Sequence, residues 1–159
     1  MKSVIIYLNS IEYIKENPTV VTDLYYILIN HDAINTVTHT LAILTLICIT
    51  LKDLGAKMVY NAALDYSEGN GVKIFEELVA FIDHKSIDIK YNALGLICEL
   101  IRNTTKKKKQ ANIIILLNDV KLYEFLEKNA QVKSYEFQQY LNLYQELTNR
   151  IVKAMIGNP

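Results

Sequence analysis

Apolar residues recur along this chain at three- and four-residue spacing, interrupted by short polar segments, and no stretch sustains the alternation of a β-strand. The spacing predicts a first helix over 3–15, with Val4, Leu8 and Ile11 on one stripe. Asn17 and Pro18 then have the chemistry of an N-cap followed by a first helical residue, opening a helix whose Val20, Val21, Leu24, Ile27 and Leu28 share a face. After Asn30-His31-Asp32 a long helix runs to Leu54 and is expected to stop at Gly55, the residue type that tolerates a left-handed cap. A shorter helix reaches about Tyr66, and Gly69-Asn70-Gly71 reads as a loop before a helix over 72–82. Ser86 is placed to cap a helix ending at Arg102, with Asp88 in the first turn suiting its dipole. Helices over 109–117 and about 120–128 follow. A last long one from Ser134 repeats Phe137, Tyr140, Leu141, Tyr144, Leu147, Ile151 and Met155 at helical spacing.

Two segments echo each other. Leu44-Thr45-Leu46-Ile47-Cys48 returns 50 residues later as Leu94-Gly95-Leu96-Ile97-Cys98, and Lys73-Ile74-Phe75-Glu76-Glu77-Leu78 resembles Lys121-Leu122-Tyr123-Glu124-Phe125-Leu126 at an offset of 48. Echoes in the same order at nearly one offset predict an all-α helical repeat of the armadillo or HEAT kind, a right-handed α-α superhelix. The expected layout is a single unit over 1–159: an N-terminal capping hairpin (1–33), repeats at 34–85 and 86–131, and a C-terminal capping helix (132–159). One such repeat cannot bury its apolar face alone, so the core arises by stacking. On this register Cys48 and Cys98 occupy equivalent buried places.

Composition narrows the function. Lys plus Arg and Asp plus Glu are 17 each, so no overall field draws the molecule to nucleic acid or an anionic membrane. The two cysteines have no cysteine or histidine near them at ligand spacing, which argues against zinc and against a disulfide framework and fits a reducing, cytoplasmic setting. The most apolar stretch, 41–51, is too short to span a bilayer and reads as a helix buried on all sides. The N-terminus lacks the features of a secretory signal.

No catalytic signature appears. Gly69-x-Gly71 lacks a third glycine and a preceding strand, and there is no Walker motif, nucleophile elbow, His-Glu-x-x-His or Cys-x-x-Cys. His31, His39 and His84 lie on different elements, and His39 reads as a hydrogen-bonded core histidine. No metal, cofactor or catalytic residue is expected, and the chain reads as a binding protein and not an enzyme. The one unusual polar feature is Lys106-Lys107-Lys108-Lys109 between two helices, where cations oppose the dipole of the following helix. It is a candidate contact for an acidic protein surface or for anionic lipid headgroups. No aromatic residue interleaves it as nucleic-acid binding would favour. Of tyrosine neighbours such as Tyr25-Tyr26, only one can face the core, leaving the other as a candidate interface anchor.

From the second repeat onward the sequence resembles the armadillo-like region of the ELMO (engulfment and cell motility) family. The residues that carry this are Leu41-Ala42-Ile43-Leu44, Tyr91-x-Ala93-Leu94-x-Leu96-Ile97, Lys109-Gln110, Glu136, Gln139-x-Leu141, Gln145-x-Leu147-Thr148, Met155 and Pro159, over about 38–159. The resemblance implies an adaptor in Rac/Rho small-GTPase signalling to actin, with a small GTPase or a DOCK-type exchange factor as partner. The parts of that family beyond this region have no counterpart here, so its DOCK-gripping residues cannot be carried over. Around Val59, Ala62, Phe75 and Leu78-Val79 the chain is also similar to the GTPase-binding and autoinhibitory armadillo region of diaphanous-type formins. Formins carry an arginine-rich segment after the helix matching Glu99 to Arg102, whereas here that segment is lysine-rich.

Overall fold

A computed structural model describes residues 2–156, and side chains from residue 9 onward, so the expected Val4 and Leu8 positions and Pro159 lie outside the described set. Nine α-helices account for nearly all of the described residues, and none of these residues forms a strand. They are α1 (Lys2–Glu16), α2 (Thr19–Asn30), α3 (Ile34–Leu51), α4 (Asp53–Asn70), α5 (Glu76–Ala80) continuing into a 3-10 turn (Phe81–Asp83), α6 (Ile87–Asn103), α7 (Lys107–Asp119), α8 (Leu122–Lys128) and α9 (Tyr135–Ile156). Helix α6 packs on α3, and α9 packs on α6, while α4 lies against both α2 and α3. The result is an armadillo-like stack of helical repeats.

The repeat register differs from the one the pentapeptide echo suggests. The six buried positions of α3 are Val37, Thr40, Leu41, Leu44, Ile47 and Cys48. Each falls on a buried position of α6 53 residues further on, namely Lys90, Ala93, Leu94, Ile97, Leu100 and Ile101. An offset of 50 is three residues short, which turns a helix by only about 60° from the true match and so preserves most of the apolar pattern. Cys48 therefore corresponds to Ile101 and not to Cys98. The same 53-residue step relates His31-Asp32-Ala33-Ile34-Asn35 to His84-Lys85-Ser86-Ile87-Asp88. In each loop the histidine Nδ1 accepts the N–H two residues on, from Ala33 at 3.2 Å and from Ser86 at 3.0 Å. Helix α9 starts as α6 does: Ser86 Oγ accepts the Ile89 N–H and Ser134 Oγ accepts the Phe137 N–H.

Several boundaries move for identifiable reasons. The α3–α4 break falls at Lys52, held at φ 56°, and Gly55 lies inside the first turn of α4. Its missing side chain lets α4 close onto α3: a Cβ there would lie 2.9 Å from the Ile47 carbonyl carbon and 3.1 Å from Cys48 Cα. Helix α4 runs through Gly69 and is ended by Gly71, whose φ of 64° is the left-handed cap. The Asn17 side chain donates back to the Tyr13 carbonyl and so closes α1 instead of opening α2. His39 is exposed, because it points away from the buried stripe of α3.

A polar clasp ties the short elements to the stack. Lys90 is 9% exposed and donates to the Ile82 carbonyl (3.1 Å) and to Asn129 Oδ1 (2.6 Å), while Asn129 Nδ2 and Lys128 Nζ both reach Asp83. Hydrogen bonds from Lys128 and Asn129 hold the Asp83 carboxyl below its ordinary range, and desolvation pulls Lys90 down. Cys48 and Cys98 are free and fully buried. Burial first, and the Glu99 charge second, push the Cys48 thiol up to about 12. Both thiols should stay silent to a disulfide reagent in the native protein and react together once denaturant unfolds it. A thiol that titrates rapidly without denaturant would contradict the buried placement.

Candidate protein-interaction surface

Helix α3 is not buried on all sides. At 18 residues and a mean hydropathy of 1.8 it has the length and composition of a membrane span, yet its inner stripe is committed to α2, α4 and α6. Its outer stripe exposes Ile43 (41%), Leu46 (41%) and Ile49 (38%), joined by Ala42 and His39. The residues 53 positions on in α6 are Leu96, Glu99 and Arg102, and there Leu96 and Glu99 are buried. Tyr140 of α9 lies against Gly95, where any Cβ would come within 2.9 Å of the ring, and the Tyr140 carbonyl accepts the Cys98 thiol at 3.4 Å. Among the described residues, the matching positions on α3 have no such cover. Exposed apolar side chains grouped on one helix face mark an interaction site more often than isolated ones do.

The stripe borders an open groove of about 600 Å³ lined by Ile49, Glu99, Arg102, Gln139, Tyr140 and Leu143, among others. Glu99 is 3% exposed, and its carboxylate is held by the Arg102 guanidinium through both Nε and Nη2 and by Asn103 Nδ2 at 2.9 Å. The groove therefore presents apolar side chains beside a half-exposed arginine whose charge is already matched.

The four lysines singled out in the sequence sit at one helix start. Lys106 is the residue before α7, and Lys107, Lys108 and Lys109 form its first turn, all exposed. Of the four, Lys109 lines a cleft shared with Lys57 of α4, a residue that the sequence alone does not connect to the run because the two are 52 positions apart. The tyrosine pair divides as expected, with Tyr25 1% and Tyr26 57% exposed, but both rings also meet Tyr66 edge-on at 5.9 and 6.0 Å. Among the described residues no group of three His, Cys, Asp or Glu is placed to hold a metal.

Comparison with known proteins gives two findings. The family model for the FHOD1/3 FH3 domain matches residues 1–125. Formin-G of Dictyostelium discoideum is 24% identical over 140 residues, covering 88% of this chain, which itself spans only 13% of that protein's length. These findings overturn the expected ELMO affiliation, and the DOCK-type partner inferred from it goes too. The reason lies in the residues that carried the resemblance: Leu41, Leu44, Leu94, Leu96, Ile97, Leu141 and Leu147 are all buried apolar helix positions that any such stack requires.

Proposed function

Because the chain belongs to the FHOD1/3 FH3 domain family, we propose that it is the regulatory region of a formin, which binds a Rho-family small GTPase and restrains the actin-directed part of the protein until that GTPase arrives. The family match over residues 1–125 carries this reading. It is a non-catalytic role in the cytoplasm, exerted through protein contacts. The surface we assign to it is the outer stripe of α3 with Ile43, Leu46 and Ile49, extended by the groove against α9. An apolar centre rimmed by Arg102, Glu136 and Glu146 has the anatomy of a protein interface, with an apolar core inside a polar rim.

The test is a calorimetric titration of the chain with Rho and Rac proteins loaded with either a GTP analogue or GDP. Binding selective for the GTP-analogue form is expected. The Leu46→Asp/Ile49→Asp variant should weaken it by about tenfold or more, the effect of losing a buried interface anchor, while circular dichroism shows the helical fold retained. Absence of binding to either nucleotide form across the panel would sink the proposal. Full binding by the variant would move the interface off α3.

A further inference from the structure

A second surface lies on the other side of α4. Asp53, at the start of α4, accepts both the Thr105 N–H (2.9 Å) and the Thr105 hydroxyl (3.0 Å), which fastens the α6–α7 loop over the α4 N-terminus. This clip brings α4 and α7 to a common cleft of about 200 Å³, lined from both helices. Lys57 and Asn61, one turn apart on α4, and Lys109 and Asn112 on α7 line it, together with Tyr60, Thr104 and the buried Ala56 and Ile113. Among the described residues, none of Lys57, Lys106, Lys107, Lys108 and Lys109 forms an ion pair within 4 Å. The one carboxylate at the cleft, Asp53, is already engaged by Thr105, and it is held below its ordinary range by those two hydrogen bonds and then by Lys109 and Lys57. In a molecule of zero formal charge, this is a concentration of five cations around a single carboxylate. Three of them stand in the first turn of α7, where they oppose the helix dipole and weaken the helix that carries them.

We propose that the cleft between α4 and α7 is a docking site for an acidic protein segment, whose carboxylates pair with Lys57 and Lys109 while Asn61 and Asn112 hydrogen-bond its backbone above Ala56 and Ile113. Charge complementarity names the occupant. A recess lined by amides from both helices and by apolar side chains suits an extended chain carrying alternate acidic and apolar side chains, because amides both donate and accept and so match a peptide backbone. A planar bilayer would engage the lysines at the α7 start and has no backbone amides for Asn61 and Asn112 to match. The site is separate from the α3 stripe, and the two proposals stand or fall independently.

A fluorescein-labelled peptide of alternating glutamate and leucine, followed by anisotropy, tests it. Saturable binding is expected that weakens with added salt and falls by about tenfold or more in Lys57→Glu/Lys109→Glu. Asn61→Leu/Asn112→Leu, which keeps every charge, should also weaken it, whereas Lys107→Glu/Lys108→Glu and Leu46→Asp/Ile49→Asp should not. The absence of saturable binding would overturn the proposal, and so would equal losses on reversing Lys107 and Lys108, which would reveal a diffuse charge effect. Sedimentation with phosphatidylserine vesicles that depends on the lysines at the α7 start, and not on Asn61 and Asn112, would replace the peptide with a membrane. Circular dichroism of each variant separates lost binding from lost fold.

Discussion

Replacing Arg102 by alanine should destabilise the protein by about 3 kcal/mol, the low end of the cost of leaving a buried charge without its partner. The low end applies because the Arg102 side chain is 51% exposed and water reaches the site more readily once it is gone, while Glu99 is only 4% exposed at its side chain. Asn103 alone would remain to face that carboxylate. The second mutation that removes the stranded charge, Glu99→Leu, should recover most of the loss, because a buried pair replaced by apolar groups is often neutral. A matched control exists on α9, where Arg150 and Glu146 pair at 2.8 Å with both side chains about two-thirds exposed. Arg150→Ala should cost less than about 0.5 kcal/mol. Urea melts of these variants decide the matter: equal small losses for Arg102→Ala and Arg150→Ala would mean that Glu99 is solvated in the native state.

Two glycines on one helix should respond to alanine with opposite signs. At Gly55 the added methyl meets backbone, the Ile47 carbonyl and Cys48 Cα, which cannot swing aside as a side chain would. Overpacking of this kind costs about 3 kcal/mol, partly offset by about 1 kcal/mol of improved helix propensity. The net loss of about 2 kcal/mol corresponds to a Tm lower by about 6 °C in a domain of this size. At Gly69, also within α4, a Cβ meets nothing within 4 Å, so only the propensity gain remains and Gly69→Ala should stabilise by about 1 kcal/mol. Thermal melts that show Gly55→Ala as stable as the parent would mean that α3 and α4 do not pack backbone to backbone at this point.

The all-helical class and the repeat were legible because the 3.6-residue apolar period and the polar breaks are properties of the sequence itself. The register was not. Leu44 to Cys48 and Leu94 to Cys98 look alike because both are runs of leucine and isoleucine, whereas the true correspondence is carried by the sparse His31-x-Ala33-Ile34 and His84-x-Ser86-Ile87, whose histidines do the same local job in both loops. Gly55 misled for a related reason: its role comes from how closely two helices approach, and residue type alone cannot separate that from a cap. The lysine run is visible as composition, but Lys57, Asn61 and Asn112 join it only through the fold, where the Asp53–Thr105 clip gives α4 and α7 a common cleft. The α3 stripe is ambiguous in the same way. A helix apolar on all sides implies either complete burial or a face kept for something else, and only the neighbours decide.

Helix α6 stands between α3 and α9, and every residue from 93 to 101 in it is buried. In a stack where each unit is held by its neighbours, opening can begin at either end and stop at the middle unit. Cooperativity is therefore unevenly distributed: α6 is held on both sides by α3 and α9, while α3 is held by α2, α4 and α6 on its inner face alone. A ligand lying along the outer face of α3 would cover the stripe that α9 covers on α6. Occupancy there would therefore be felt as a lengthening of the cooperative unit toward the N-terminal end, with no rearrangement of the helices required.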